Sequence, residues 1–116
     1  MALVTVAKSS DISNGKMIGV EAGGRKILLA RVGGTLYAID AVCSHMGGEL
    51  PKGKLDSYVV ICPRHGAQYD VKTGKLVKDV GFAAKALTVG RGAHDQETFK
   101  VVEEGDEVKV DVPQQA

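Results

Sequence analysis

Cys43-Ser-His45 and Cys62-Pro-Arg-His65 each place one thiol and one imidazole within a few residues of each other. Cys43 and Cys62 are the only cysteines in the chain, and sixteen residues separate His45 from Cys62. A Cys-His catalytic dyad needs one residue of each type and a third group to orient the base, so it leaves half of this constellation unexplained. A disulfide between the two cysteines is a poorer use of them in a cytosolic chain than metal binding. Zinc takes two Cys and two His tetrahedrally, but finger-type sites put both cysteines on one segment and both histidines on another. Here each segment supplies one of each, an order that suits two metals. Cys43 and Cys62 can serve one iron and His45 and His65 the other, with two bridging sulfides completing four ligands on each.

C-x-H followed after sixteen residues by C-P-x-H-G resembles the signature of Rieske iron–sulfur proteins. The fuller run CSHMGGELPKGKLDSYVVICPRHGAQYDVKTGK, residues 43 to 75, is similar to Rieske-type ferredoxins. The flanking segments match only in pattern. The resemblance implies one [2Fe–2S] cluster per chain, held by Cys43, His45, Cys62 and His65 and surrounded by Met46, Gly48, Pro63, Arg64, Gly66, Ala67 and Tyr69. Gly48 and Gly66, with Gly47, would let backbone N–H groups approach the sulfurs, and Pro63 would stiffen the second clamp. In high-potential respiratory members a serine two residues after the second histidine donates to a bridging sulfide. Ala67 stands there in this chain and removes that bond. Tyr69 occupies the place of a tyrosine that donates to a cysteine sulfur, although a buried aromatic at a strand start explains it equally well. The disulfide that joins the two loops in respiratory members falls at Gly48 and Arg64 and cannot form.

Charge explains the value of the histidines. Two Fe³⁺, two S²⁻ and two thiolates sum to zero when the imidazoles are neutral, so reduction does not add charge to an existing anion. The potential should therefore lie within about −150 to +300 mV, and the loss of the serine puts it in the low-to-middle part. It should fall as pH rises, because the reduced site holds the second imidazole proton more tightly. Arg64 is expected to face solvent and help recognise a partner. His94, in GRGAHDQET, has no neighbour at ligand spacing and reads as a loop residue. The loop that often covers the cluster in this family is proline-rich, whereas DVGFAAKALTV has no proline and offers Phe82.

The segments that must position these clamps read as short strands divided by glycine turns. KMIGVEA and RKILLARV flank Gly23-Gly24, and RKILLARV and TLYAID flank Gly33-Gly34. Gly-Gly supplies the positive φ angles of two-residue hairpins. EVKVDV alternates with period two, which puts Val108, Val110 and Val112 on one face, and it follows TFKVV across EEGD. A short helix is expected near 11 to 14. The pattern predicts an all-β protein, and the resemblance specifies it as a Rieske domain. That fold is an antiparallel, sandwich-like body over residues 1 to 116, with a small cluster-binding subdomain at about 41 to 81.

Composition narrows the function classes. The 116 residues are 44% hydrophobic, enough for a core, but only 4% aromatic with no Trp, a poor supply for base stacking. Fifteen Lys and Arg against fourteen Asp and Glu leave +1, unlike a general polyanion binder, so no nucleic-acid partner is expected. Residues 41 to 81 carry six basic and four acidic side chains, while 95 to 111 carry seven acidic and two basic. A weakly positive tip on an acidic base could orient a partner. No apolar run approaches a membrane span and the N-terminus lacks signal-peptide features, so a soluble, cytoplasmic protein is expected. The resemblance implies a one-electron carrier rather than an enzyme, working between a reductase donor and an oxidised acceptor. It could be the ferredoxin component of a ring-hydroxylating dioxygenase system, and the chain is too short for the oxygenase subunit. A zinc-binding structural module is the non-redox alternative.

Overall fold

The computed structural model describes residues 2–42, 49–63, 66–78 and 95–112. Among these, eleven strands form three antiparallel sheets. The first sheet joins β1 (Ala2–Lys8), β11 (Glu107–Val112) and β10 (Val101–Glu104), in that order. The second runs β2 (Met17–Ala22), β3 (Arg25–Val32), β4 (Thr35–Asp40) and β9 (Thr98–Phe99). The third runs β5 (Lys54–Asp56), β6 (Val59–Ile61), β7 (Gln68–Asp70) and β8 (Leu76–Lys78). No helix among the described residues is long and apolar enough to cross a membrane.

The glycine pairs behave as their chemistry requires. Gly23 and Gly24 have φ of 56° and 77°, and Gly33 and Gly34 have 58° and 84°, so both hairpins close through left-handed residues. Gly105, at φ 60°, turns β10 into β11. In β11 the period-two pattern becomes orientation, with Val108, Val110 and Val112 buried and Lys109 and Asp111 turned outward. β3 is the exception to alternation, since Ile27, Leu28, Leu29 and Ala30 are all fully buried. The reason is its place in the middle layer. Ile27 and Leu29 join Leu36, Ala38, Val108 and Val110 in one core, and Leu28 and Ala30 join Ile39, Val60, Tyr69 and Val71 in the other. A strand covered on both faces needs a continuous apolar run, and Ile27-Leu28-Leu29-Ala30 supplies it.

Three expectations shift. The helix near 11 to 14 is instead a 3₁₀ turn at Ser9–Asp11, followed by a bend in which the Asn14 Oδ1 accepts the Gly34 N–H at 2.7 Å. TFKVV is two strands, because the chain changes sheets at Lys100: β9 pairs with β4, and β10 with β11. The excursion after residue 41 carries its own four-stranded sheet, whose first hairpin turns through Ser57 at φ 57° rather than through a glycine.

Candidate metal centre

Both cysteine–histidine segments leave the fold from pinned ends. The first follows Val42, which pairs with Glu49 in an isolated antiparallel bridge, so the loop between them closes at its base. Next to that bridge the Leu50 N–H donates to the Ala41 carbonyl at 2.9 Å, and the Ala41 N–H donates to Lys26 O at 3.0 Å. The Asp40 Oδ1 accepts the Val42 N–H at 2.9 Å, an Asx turn that sets the chain's direction just before Cys43. The second segment is the loop between β6 and β7. The Cys62 N–H donates to Ala67 O at 2.8 Å and the Gly66 N–H to Cys62 O at 3.2 Å, extending the hairpin by one pair beyond the strands. Gly66 has φ 82°, so its observed work is to close this loop in a conformation that side chains disfavour. Pro63 is exposed, at the start of the loop.

The two bases meet in one core. Ala41 and Leu50, beside the first loop, share a buried cluster with Cys62 and Ala67 of the second, and with Val60, Tyr69 and Val71 beneath them. Cys62 is only 3% exposed, and Ala67 and Tyr69 are fully buried. Of the expected site residues the structure thus places Cys62, Pro63, Gly66, Ala67 and Tyr69. Cys43, His45, Met46, Gly48, Arg64 and His65 lie outside the described residues, as do Phe82 and His94.

Side chains that sequence reading did not single out hold the bases together. Gln96 is 6% exposed. Its Nε2 donates to the carbonyls of Asp40 at 2.9 Å and Val42 at 2.7 Å, and its backbone N–H donates to Gly74 O at 2.7 Å. It therefore ties the approach to the first loop to the turn between β7 and β8. Nothing in GRGAHDQETFK marks it, because a polar residue in a polar stretch has no periodicity to break. Arg25 supports the same point from β3. Its guanidinium donates to Glu97 at 2.6 Å, lies 3.5 Å from Asp40 and covers the Phe99 ring, and the Glu97 bond chiefly holds its pKa above the ordinary arginine value. On the loop's far side Glu49 pairs with Lys52 at 2.6 Å and Lys26 at 3.7 Å. The hydrogen bond from Lys52 is the main cause holding its carboxyl below the usual range. Gly53 matters for a different reason: a Cβ there would overlap the Ile61 carbonyl oxygen and press on Pro63, so the 3₁₀ turn at Leu50–Lys52 can lie against the second loop only with glycine next to it.

A buried thiol at one loop base, packed against residues that flank the other Cys-x-His segment, is an arrangement that fits a metal bound between the loops. Comparison with known proteins shows the family. The family model for the Rieske [2Fe-2S] domain matches residues 2–89. The chain is 38% identical to the biphenyl 2,3-dioxygenase ferredoxin component of Rhodococcus jostii over 112 residues, covering 97% of this chain and 94% of that one. It is 35% identical over 82 residues to the ferredoxin component of the naphthalene 1,2-dioxygenase/salicylate 5-hydroxylase systems of a Ralstonia species, covering 66% and 79%. A chain in the complex of reduced oxygenase and oxidized ferredoxin of carbazole 1,9a-dioxygenase superposes with a TM-score of 0.78 at 28% identity, covering 93% of this chain and all of that one. The chain belongs to the Rieske [2Fe–2S] family. Within it, this is a ferredoxin-type electron carrier rather than a catalytic oxygenase.

Proposed function

We propose that residues 1 to 116 form a single domain in which Cys43, His45, Cys62 and His65 hold one [2Fe–2S] cluster, with residues 41 to 81 as the cluster-binding subdomain. The observation that carries this reading is the shared core of the two loop bases, in which Ala41 and Leu50 pack with Cys62 and Ala67. The bound cluster would accept and release one electron at a time. The protein's contribution is position and dryness. The Val42–Glu49 bridge and the Cys62–Ala67 pair fix the spacing of the loop ends, while Leu50, Val60, Tyr69 and Val71 exclude water from below. Ala67 offers no hydroxyl to a sulfide, which favours a potential in the low-to-middle part of the class range. Phe82 would help to cover the cluster.

The physiological reading is the ferredoxin component of a ring-hydroxylating dioxygenase system, taking electrons from a reductase and passing them to an oxygenase in the cytoplasm. The likeness to such components over nearly the whole chain supports it. The test is an EPR spectrum of anaerobically prepared, dithionite-reduced protein, repeated for Cys43→Ser and His65→Ala. A rhombic signal with average g below that of all-cysteinate clusters, lost in both variants, is the expected result. A colourless, EPR-silent protein carrying zinc would refute the proposal.

A further inference from the structure

The sheet that carries the second loop has an outer face whose row nearest the loop begins and ends in a lysine. The register places Lys54, Ile61, Gln68 and Lys78 in one row across β5, β6, β7 and β8. Residues paired across antiparallel strands point to the same side. The adjacent row, Leu55, Val60, Tyr69 and Leu76, points into the core, so the lysine row points out. It lies directly beside the Cys62–Ala67 pair that closes the second loop. Three strand spacings of about 4.8 Å put Lys54 and Lys78 roughly 14 Å apart. The row farther from the loop is mixed: it holds Asp56 and Asp70, with exposed Lys75 opposite Asp70, whose N–H donates to the Lys75 carbonyl at 2.9 Å. Asp95 is engaged by the Leu76 N–H at 2.8 Å, at the β8 edge.

Lys54 and Lys78 are exposed and make no ion pair among the described residues, a property they share with Lys8, Lys16, Lys72, Lys75 and Lys100, and they are the two such lysines in the row beside the second loop. Between and beside them lie half-buried Ile61 and exposed Val77, which a bulge at Gln68/Tyr69 leaves extra in β8. Two unpaired cations flanking Ile61, Gln68 and Val77 form a complement to carboxylates set around a partly apolar centre.

We propose that the loop end of this face docks the acidic surface of a redox protein partner, with Lys54 and Lys78 as its charged contacts. The proposal rests on the electron-carrier reading, and each variant is first checked for the EPR signal of the reduced cluster. The probe is a fully reduced acidic flavodoxin. One electron passes from its hydroquinone to the oxidised protein and leaves the semiquinone, followed by stopped-flow absorbance. Lys54→Glu/Lys78→Glu should slow this transfer about tenfold or more at an ionic strength of about 10 mM, where the screening length is about 30 Å. The rates should converge at about 0.5 M salt. Oxidation of the reduced variant by basic cytochrome c should be faster than that of the parent. Lys8→Glu/Lys16→Glu makes the same charge change on exposed positions at the other end of the body and should move the flavodoxin rate about twofold or less. Equal slowing by both pairs would reduce the effect to net charge and overturn the docking face, as would an unchanged rate in Lys54→Glu/Lys78→Glu with its EPR signal intact. Loss of the signal in the parent would overturn the electron-carrier reading itself.

Discussion

Replacing Gln96 by methionine, of similar length but without the amide, tests whether the first loop is held from behind. The amide N–H groups now satisfy the carbonyls of Asp40 and Val42, at 2.9 and 2.7 Å. The site is part-buried, so each lost bond is expected to cost about 1 to 1.5 kcal/mol, or about 2 to 3 kcal/mol together. With a domain stability of about 5 to 15 kcal/mol, that is a large share. The backbone bond from Gln96 to Gly74 survives the substitution, and the two amide bonds lost are those to the carbonyls that lead into Cys43. Urea unfolding of the holoprotein, with midpoint and slope both recorded, measures the change. The same variant should bleach faster on exposure to a chelator, because the approach to the first loop is freed. A change under about 0.5 kcal/mol with unaltered bleaching would refute the argument that Gln96 holds this junction.

Gly53→Ala should destabilise the protein by about 1 to 3 kcal/mol, since the added methyl meets the Ile61 carbonyl, which no side-chain rotation can move away; thermal unfolding reads it. Ala67→Ser should raise the reduction potential measured by protein-film voltammetry, by placing a donor where the resemblance locates a sulfide contact, while a lower or equal value would show that the hydroxyl does not reach it. Glu103 is held below the ordinary glutamate range by hydrogen bonds from Arg31, chiefly, and Ser9. Its folded pKa is depressed, so its contribution is present above the unfolded value and disappears as pH falls through the folded one. Glu103→Gln should therefore cost roughly 0.5 to 1 kcal/mol at neutral pH, the pair being partly solvated. The gap should close below about pH 4, seen as converging urea midpoints.

The candidate ligands were legible because metal chemistry is written in residue type and local spacing. Two cysteines, each a short step from a histidine, announce themselves without any knowledge of the fold. The Gly-Gly hairpins were legible for a similar reason, since a positive φ at two adjacent residues is a local demand that glycine meets. Val108, Val110 and Val112 followed from a period of two. What the sequence could not show was each feature that depends on a second segment. The helix expected near 11 to 14 gave way to a 3₁₀ turn because Arg31, from β3, takes the carbonyls of Ser9 at 3.2 Å and Ile12 at 2.6 Å. The hairpin at Ser57 lacks the glycine that signals a turn, and its three-residue strands are too short to display alternation.

By itself, then, the sequence determined the candidate donor set, the glycine turns and the β character, all of which are properties of neighbours along the chain. Only the tertiary structure decided that Leu28 and Leu29 face different cores, that Ala41 and Leu50 pack against Cys62 and Ala67, and that a glutamine far along the chain from Val42 fixes its carbonyl. Those contacts join residues distant in sequence, and the free energy that selects them comes from burial and hydrogen-bond satisfaction, which exist only once the layers have come together.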